Sequence, residues 1–175
     1  MVVVVILGVL SAVAVPYMGR DKRVVPGREF TGTLMRELQI ARLTAVNERL
    51  AVRVYLFGDR VELRMAVPGE RPGEAPRSPT LADPVLRTIL APQEVALIEA
   101  GPSALPPGDP VLSPAFYREI EFNPRGQAQL INQPPLTPFF VYVRNDALSP
   151  QHRESRFRLD VTPLTSAVAM HTGWP

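Results

Sequence analysis

The sequence has no cysteine, two histidines and a single tryptophan, and Lys22 is the only lysine among its 19 basic residues. Without cysteine there are no disulfide staples, no thiolate metal sites and no cysteine nucleophile, although the compartment stays open because many exported proteins also lack it. A G-x-S-x-G elbow, an H-E-x-x-H helix, a P-loop and a dinucleotide glycine fingerprint are all missing, and His152 and His171 stand in polar or terminal contexts. Catalysis therefore has no visible apparatus, and no cofactor or metal is expected. Net charge is also scarce: a formal +2 means that the high pI of about 9.4 reflects the strong basicity of arginine more than a massed positive field, so bulk charge does not imply nucleic-acid binding.

Proline is plentiful, 20 residues against 11 glycines, and it punctuates apolar runs without a repeat. Collagen-like and wholly disordered readings fit poorly, and a loop-rich domain is expected. At 175 residues and 46% hydrophobic composition the chain divides naturally into one globular head and an N-terminal appendage. That appendage, Met1 to Val15, carries no charge and almost nothing polar except Ser11. It breaks at Pro16 before Tyr17, Met18 and the charged stretch Arg20 to Arg23. Such a run belongs in lipid or another apolar environment, yet as a helix it would reach only about 23 Å, short of a bilayer. Two other readings exist. Ala12-Val13-Ala14 offers a signal-peptidase site, but no basic region precedes the run. A buried core element is the third, disfavoured by so long an uncharged stretch at the extreme terminus.

The stretch MVVVVILGVLSAVAVPYM resembles the N-terminal helix of type IV pilins and type II secretion pseudopilins, in which an apolar run ends at a proline in the place held by Pro16. The resemblance implies that about six residues precede Met1, including an N-methylated phenylalanine and an assembly glutamate behind a cleaved leader, which would bring the run to spanning length. It also implies which residues anchor and pack: Val2, Val3, Val4, Val5, Ile6, Leu7, Val9, Leu10, Val13, Val15, Pro16 and Tyr17. The implied partners are other pilin or pseudopilin subunits, the inner membrane and secreted cargo. The implied location is a single pass through the bacterial inner membrane with a periplasmic head. The basic flank would ordinarily mark a cytoplasmic side; Asp21 dilutes that cue, and the resemblance outweighs it.

Beyond the appendage, Phe30, Leu34, Leu38, Ala41 and Ala45 recur at helical spacing, with Arg36, Glu37, Arg42 and Glu48 largely elsewhere on the wheel. Their narrowing to alanine predicts a sheet close to the C-terminal end of this amphipathic helix. The phrase LMRELQIARLTAVNERLAVRVYL is similar to the helix-to-strand segment of H-type minor pseudopilins and FimT-like minor pilins, which carry an Ala-Arg-x-x-Ala element where Ala41, Arg42 and Ala45 stand. The expected fold is α+β and pilin-like: a helix over 1–18, an amphipathic helix over 19–49, and a mostly antiparallel β head over 50–175.

Alternation predicts a hairpin from Val52, Val54 and Leu56 through Gly58-Asp59 to Val61, Leu63 and Met65, and short strands at Val85–Leu90 and Val95–Ile98. Ile120–Phe122 and Ala128–Ile131 read as a second hairpin about Asn123-Pro124-Arg125-Gly126, and two final strands cover Phe139–Val143 and Phe157–Val161. Proline-rich segments at 67–84 and 101–114 are expected to be exposed loops. The turn at 123–126 and the strands after it are similar to the C-terminal half of the H-type head, but the closing Thr-Gly-Arg of that family is absent. Here the segment reads Leu164-Thr165-Ser166-Ala167-Val168, and Thr172-Gly173 leads into Trp174.

Three constellations invite chemistry. Glu119 and Glu121 share a strand face, most simply a solvated one. Asn145-Asp146 offers oxygen ligands to calcium, though without further acids nearby a turn is the plainer reading. Arg144, Arg153, Arg156 and Arg158 cluster late in the chain, and a guanidinium suits phosphate. Because some FimT-like minor pilins bind DNA through a basic C-terminal region, DNA is the alternative partner. The plainer reading makes Arg156 and Arg158 the outer face of a strand whose inner face is Phe157 and Leu159.

Overall fold

A computed structural model describes residues 22–69, 75–102, 112 and 116–173. The expected helix over 1–18 lies outside these residues. A 3₁₀ turn at Lys22–Val24 runs into helix α1, Val25–Glu48, with Pro26 in its first turn, where the missing N–H costs nothing. Arg49 ends the helix in the left-handed region at φ 55°, turning the chain into the first strand.

Among the described residues nine strands follow: β1 (Val52–Leu56), β2 (Arg60–Met65), β3 (Val85–Leu90), β4 (Val95–Gly101), β5 (Arg118–Phe122), β6 (Ala128–Leu130), β7 (Phe139–Asn145), β8 (Arg156–Val161) and β9 (Val168–Thr172). They form two antiparallel sheets, a five-stranded one in the order β3-β2-β1-β5-β6 and a four-stranded one in the order β4-β7-β8-β9. The α+β arrangement of one N-terminal helix packed on antiparallel sheets is present, with the head split into two sheets. Both predicted hairpins are in place, and the two final strands pair with each other. The ninth strand was not expected, because the closing segment turns through Ser166 at φ 49°, and serine gives none of the usual glycine or asparagine signal.

One core holds the parts together. Phe30, Leu34, Leu38, Ala41 and Ala45 are all buried, and they meet Val52, Val54 and Ile120 of the first sheet and Val141, Phe157 and Leu159 of the second. The helix thus packs on both sheets. As expected, Ala41 and Ala45 are fully buried. The N-terminal end of α1 also lies tight against a sheet: a Cβ at Gly27 would fall 2.9 Å from both Asn145 Cβ and Phe157 Cε2. Asn145 fastens this junction by donating from Nδ2 to the Arg23 carbonyl at 2.7 Å.

Two sequence expectations need correction. Glu37 is not on the solvent side of α1 but 2% exposed, because Arg87 on the inner side of β3, opposite Leu63, reaches it at 3.0 Å. The second half of the 67–84 segment is not simply an exposed loop either. Residues 75–84 form a strap over the outer face of the first sheet, with Pro79 and Asp83 buried.

Replacing Gly27 by alanine tests the helix junction. Alanine favours a helix by about 1 kcal/mol, but its methyl must displace buried Asn145 and Phe157, an overpacking cost of about 1–3 kcal/mol. Gly27→Ala is therefore expected to lower the denaturation midpoint, whereas at Gly32, where a Cβ meets nothing within 4 Å, the same change should raise it.

Candidate functional site

The outer face of the first sheet is built from charges in register. Arg53 on β1 stands between Arg64 on β2 and Glu121 on β5. Its Nη1 donates to Glu119 Oε2 at 2.7 Å, and its Nε and Nη2 donate to Glu121 Oε2 at 3.1 and 2.5 Å. Burial alone would lower the Arg53 pKa, but the bond to Glu121 and the charges of Glu121 and Glu119 outweigh it and hold the pKa above its ordinary value. The two glutamates are thus neither a catalytic carboxylate pair nor a free solvated face. They are the jaws of an arginine clamp, a role hidden in the sequence because the arginine comes from a distant strand.

Beside the clamp, Glu62 accepts from Arg60 at 2.8 Å and from Arg64 at 2.6 Å. Burial would raise the Glu62 pKa, and its bonds to Arg60 and Arg64 reverse that and lower it. Arg64 also donates to the strap carbonyls of Leu81, at 2.7 Å, and Asp83, while the Tyr55 hydroxyl donates to Pro79 O at 3.1 Å. Within the strap Asp83 pairs with Arg77 and accepts from the Thr80 amide at 2.7 Å and hydroxyl at 2.8 Å. The strap is therefore held by hydrogen bonds and ion pairs, with little apolar burial of its own.

The outer face of the second sheet carries the late arginines. Arg144 and Arg156 are directly opposed across β7 and β8. Arg144 donates to Asp146 at 2.5 Å; Arg158 grips Asp160 at 2.6 and 3.0 Å and lies over the Phe140 ring, 5.1 Å from its centre. Arg153 stands apart on the 3₁₀ turn Arg153–Ser155, next to Gly173. His171 Nε2 lies 3.2 Å from Asp160. The structure brings Arg144, Arg156 and Arg158 onto one face, but it also sets Asp146 and Asp160 among them, so the positive field is largely compensated. Beneath, Phe157 and Leu159 are fully buried. Asn145-Asp146 makes a turn: Asn145 Oδ1 accepts from the Ala147 amide at 3.1 Å. Among the described residues no group of three or more acidic or histidine side chains could hold a metal.

Where the sheets diverge lies a cavity of about 390 Å³, lined by Glu99, Tyr117, Arg118, Glu119, Asn132 and Gln133 among others. Its charges are spent on each other, since Arg118 donates to Glu99 at 2.6 and 3.1 Å and Glu119 is held by Arg53. The cavity offers no uncompensated ion, and neither histidine lines it. The expected anchoring and packing residues, Val2 to Tyr17, lie outside the described residues. Among the described residues no helix is long and apolar enough to cross a membrane.

These features define an α+β head whose surface chemistry is ion pairing and hydrogen bonding between its own elements. No family model matches the chain, and no curated protein matches it in sequence. It is similar in structure to the type IV minor pilin FimU of Pseudomonas aeruginosa strain PAO1, at 14% identity over 83% of this chain and 87% of that one, with a TM-score of 0.49. A second crystal form of FimU gives 14% identity, 82% and 91% coverage, and a TM-score of 0.47. The minor pseudopilin EpsH from the type 2 secretion system of Vibrio cholerae is similar at 8% identity over 83% of this chain and 96% of that one, with a TM-score of 0.49.

The strap makes a pH prediction. The bond from Arg77, followed by those from Thr80, holds the Asp83 carboxyl at about 2, below its unfolded value near 3.9. A depressed pKa stabilises the fold above the unfolded value, and that contribution is lost as pH falls toward 2. The wild-type advantage over Asp83→Asn in thermal midpoint should be full at pH 5, shrink as pH falls through 2, and be gone by about pH 1.

Proposed function

We propose that the chain is a structural subunit of a pilus- or pseudopilus-type filament: a minor pseudopilin of a type II secretion system or a minor pilin of a type IV pilus-like system, and not an enzyme. The observation that carries the reading is the joining of two chemistries in one stretch of chain. An uncharged run, Met1 to Val15, is followed within a few residues by α1, whose apolar stripe is shared by both sheets of the head. A head built in this way transmits force from its N-terminal segment directly into its core.

In this reading the apolar run stores the subunit in the inner membrane and then packs among other subunits. Lipid and a filament core both reward apolar area, so one surface serves both states. The head faces the periplasm and presents its loops to neighbouring subunits or secreted cargo. DNA recognition by Arg144, Arg153, Arg156 and Arg158 is the weaker reading, since Asp146 and Asp160 already occupy two of those guanidinium groups.

A charge placed in the run tests the anchor. Lysine at the centre of a membrane helix costs about 2.5–3.5 kcal/mol. Val9→Lys is expected to shift the full-length chain out of the alkali-resistant membrane fraction, while Leu164→Lys, at a 60% exposed position on the head, leaves it there. Equal membrane retention of both variants would sink the anchor.

A further inference from the structure

Where the two sheets diverge, the cavity of about 390 Å³ lies within the usual range of small-molecule sites, about 300–1,000 Å³. Part of its lining carries no charge: Ala100, Gly101, Pro102, Leu130, Ile131 and Tyr142, which packs with Ile98 and Phe140. The polar remainder divides into groups already spent and groups left over. Arg118 holds both oxygens of Glu99, and Arg53 holds Oε2 of Glu119 at 2.7 Å, so each ionised side chain in the lining has its partner. Left over are the Tyr117 hydroxyl, the Asn132 and Gln133 amides and Glu119 Oε1, none of which makes a hydrogen bond among the described residues. We propose that this cavity binds a neutral carbohydrate, a short oligosaccharide whose hydroxyl groups engage those leftover groups.

The framework behind them is fixed before any ligand arrives. The Tyr117 ring lies in tilted contact with Tyr55 and Phe57, with ring centres 5.8 and 5.6 Å apart. Asn132 is held at φ 68°, in the left-handed region that asparagine tolerates, and the Gln133 N–H donates to Leu130 O at 3.2 Å. Such preorganisation lowers the ordering cost of binding.

Because its ions are paired, the cavity offers a charged ligand no counter-charge, and desolvating such a ligand there is costly. A sugar fits better. Its hydroxyl groups both donate and accept, which matches amides that carry donor and acceptor in one plane, a phenol and a carboxylate oxygen. Its C–H face suits a tyrosine ring. An extended peptide is the other neutral occupant, and it needs backbone partners along the edge strand β4. There the Ala100 N–H is taken by Glu99 Oε1 at 3.0 Å, and Pro102 has no N–H. Both Leu97 backbone groups are engaged as well, by Gly58 O and the Leu112 N–H. Recognition at this edge falls to side chains.

The test uses the full-length chain, solubilised in a detergent without a sugar head group and applied to an array of neutral glucose, galactose, mannose and N-acetylglucosamine oligomers. Binding curves for the best glycan are then measured with three variants. Tyr117→Phe keeps the ring contacts and removes the hydroxyl; Gln133→Ala removes an amide; Asn132→Asp keeps a residue suited to the left-handed region and adds an unpaired charge. Saturable binding of at least one glycan is expected, insensitive to salt because no ion pair forms. Tyr117→Phe and Gln133→Ala should each weaken it severalfold and Asn132→Asp about tenfold, with thermal midpoints near wild type. Leu164→Lys, exposed elsewhere on the head, should bind as wild type. Absence of saturable binding to every glycan would overturn the proposal, as would binding that survives all three variants. Tighter binding of neutral extended peptides, lost in the same variants, would also overturn it and give the cavity to a peptide.

Discussion

Burial of one stripe of α1 against two sheets is the constraint on which the rest of the structure depends. Leu34, Leu38, Ala41 and Ala45 are at most 1% exposed, and each large side chain so buried contributes about 1.5–3 kcal/mol. The inner faces of β1, β5, β7 and β8 share that stripe, so neither sheet has a complete core without the helix. The junction at Gly27, where the helix meets Asn145 and Phe157, also fixes where the chain enters the head.

The outer faces obey a different rule. Arginines stand opposite arginines at Arg53 and Arg64 and again at Arg144 and Arg156, an arrangement that would repel if uncompensated. On the first sheet the repulsion is relieved by Glu62, Glu119, Glu121 and the strap carbonyls; on the second, Asp146 lies beside Arg144. Among the described residues this internal compensation sets a carboxylate beside Arg53, Arg64, Arg144 and Arg158. It also explains how a proline-rich segment without apolar bulk stays on the sheet.

The strands were readable where alternation and turn residues agree, as in the hairpin about Gly58-Asp59 and the one about Asn123-Pro124-Arg125-Gly126. The helix stripe was readable from its spacing. What escaped the sequence depended on partners far along the chain. Glu37 looked solvent-facing because its arginine lies on β3, and Glu119 and Glu121 looked solvated because Arg53 lies on β1. The strap read as a free loop because carbonyls that accept from Arg64 leave no trace in composition. For the candidate site, the late arginines were legible as a cluster, and the aspartates that neutralise two of them stand only two residues along the same chain segment, Asp146 after Arg144 and Asp160 after Arg158, a same-face spacing the sequence already carried.

Taken together, the fold joins an apolar N-terminal run, by way of a helix shared between two sheets, to a head whose outer charges are spent on its own stability. Under the proposed function, that division is the one expected of a part stored in lipid and then built into an assembly. The most direct measurement of this account is mass spectrometry of the chain recovered from sheared filaments and from the periplasmic fraction of its native cell. The account predicts the chain in filaments with Met1 to Val15 still attached. A soluble periplasmic chain beginning at Val15 and absent from filaments would contradict it.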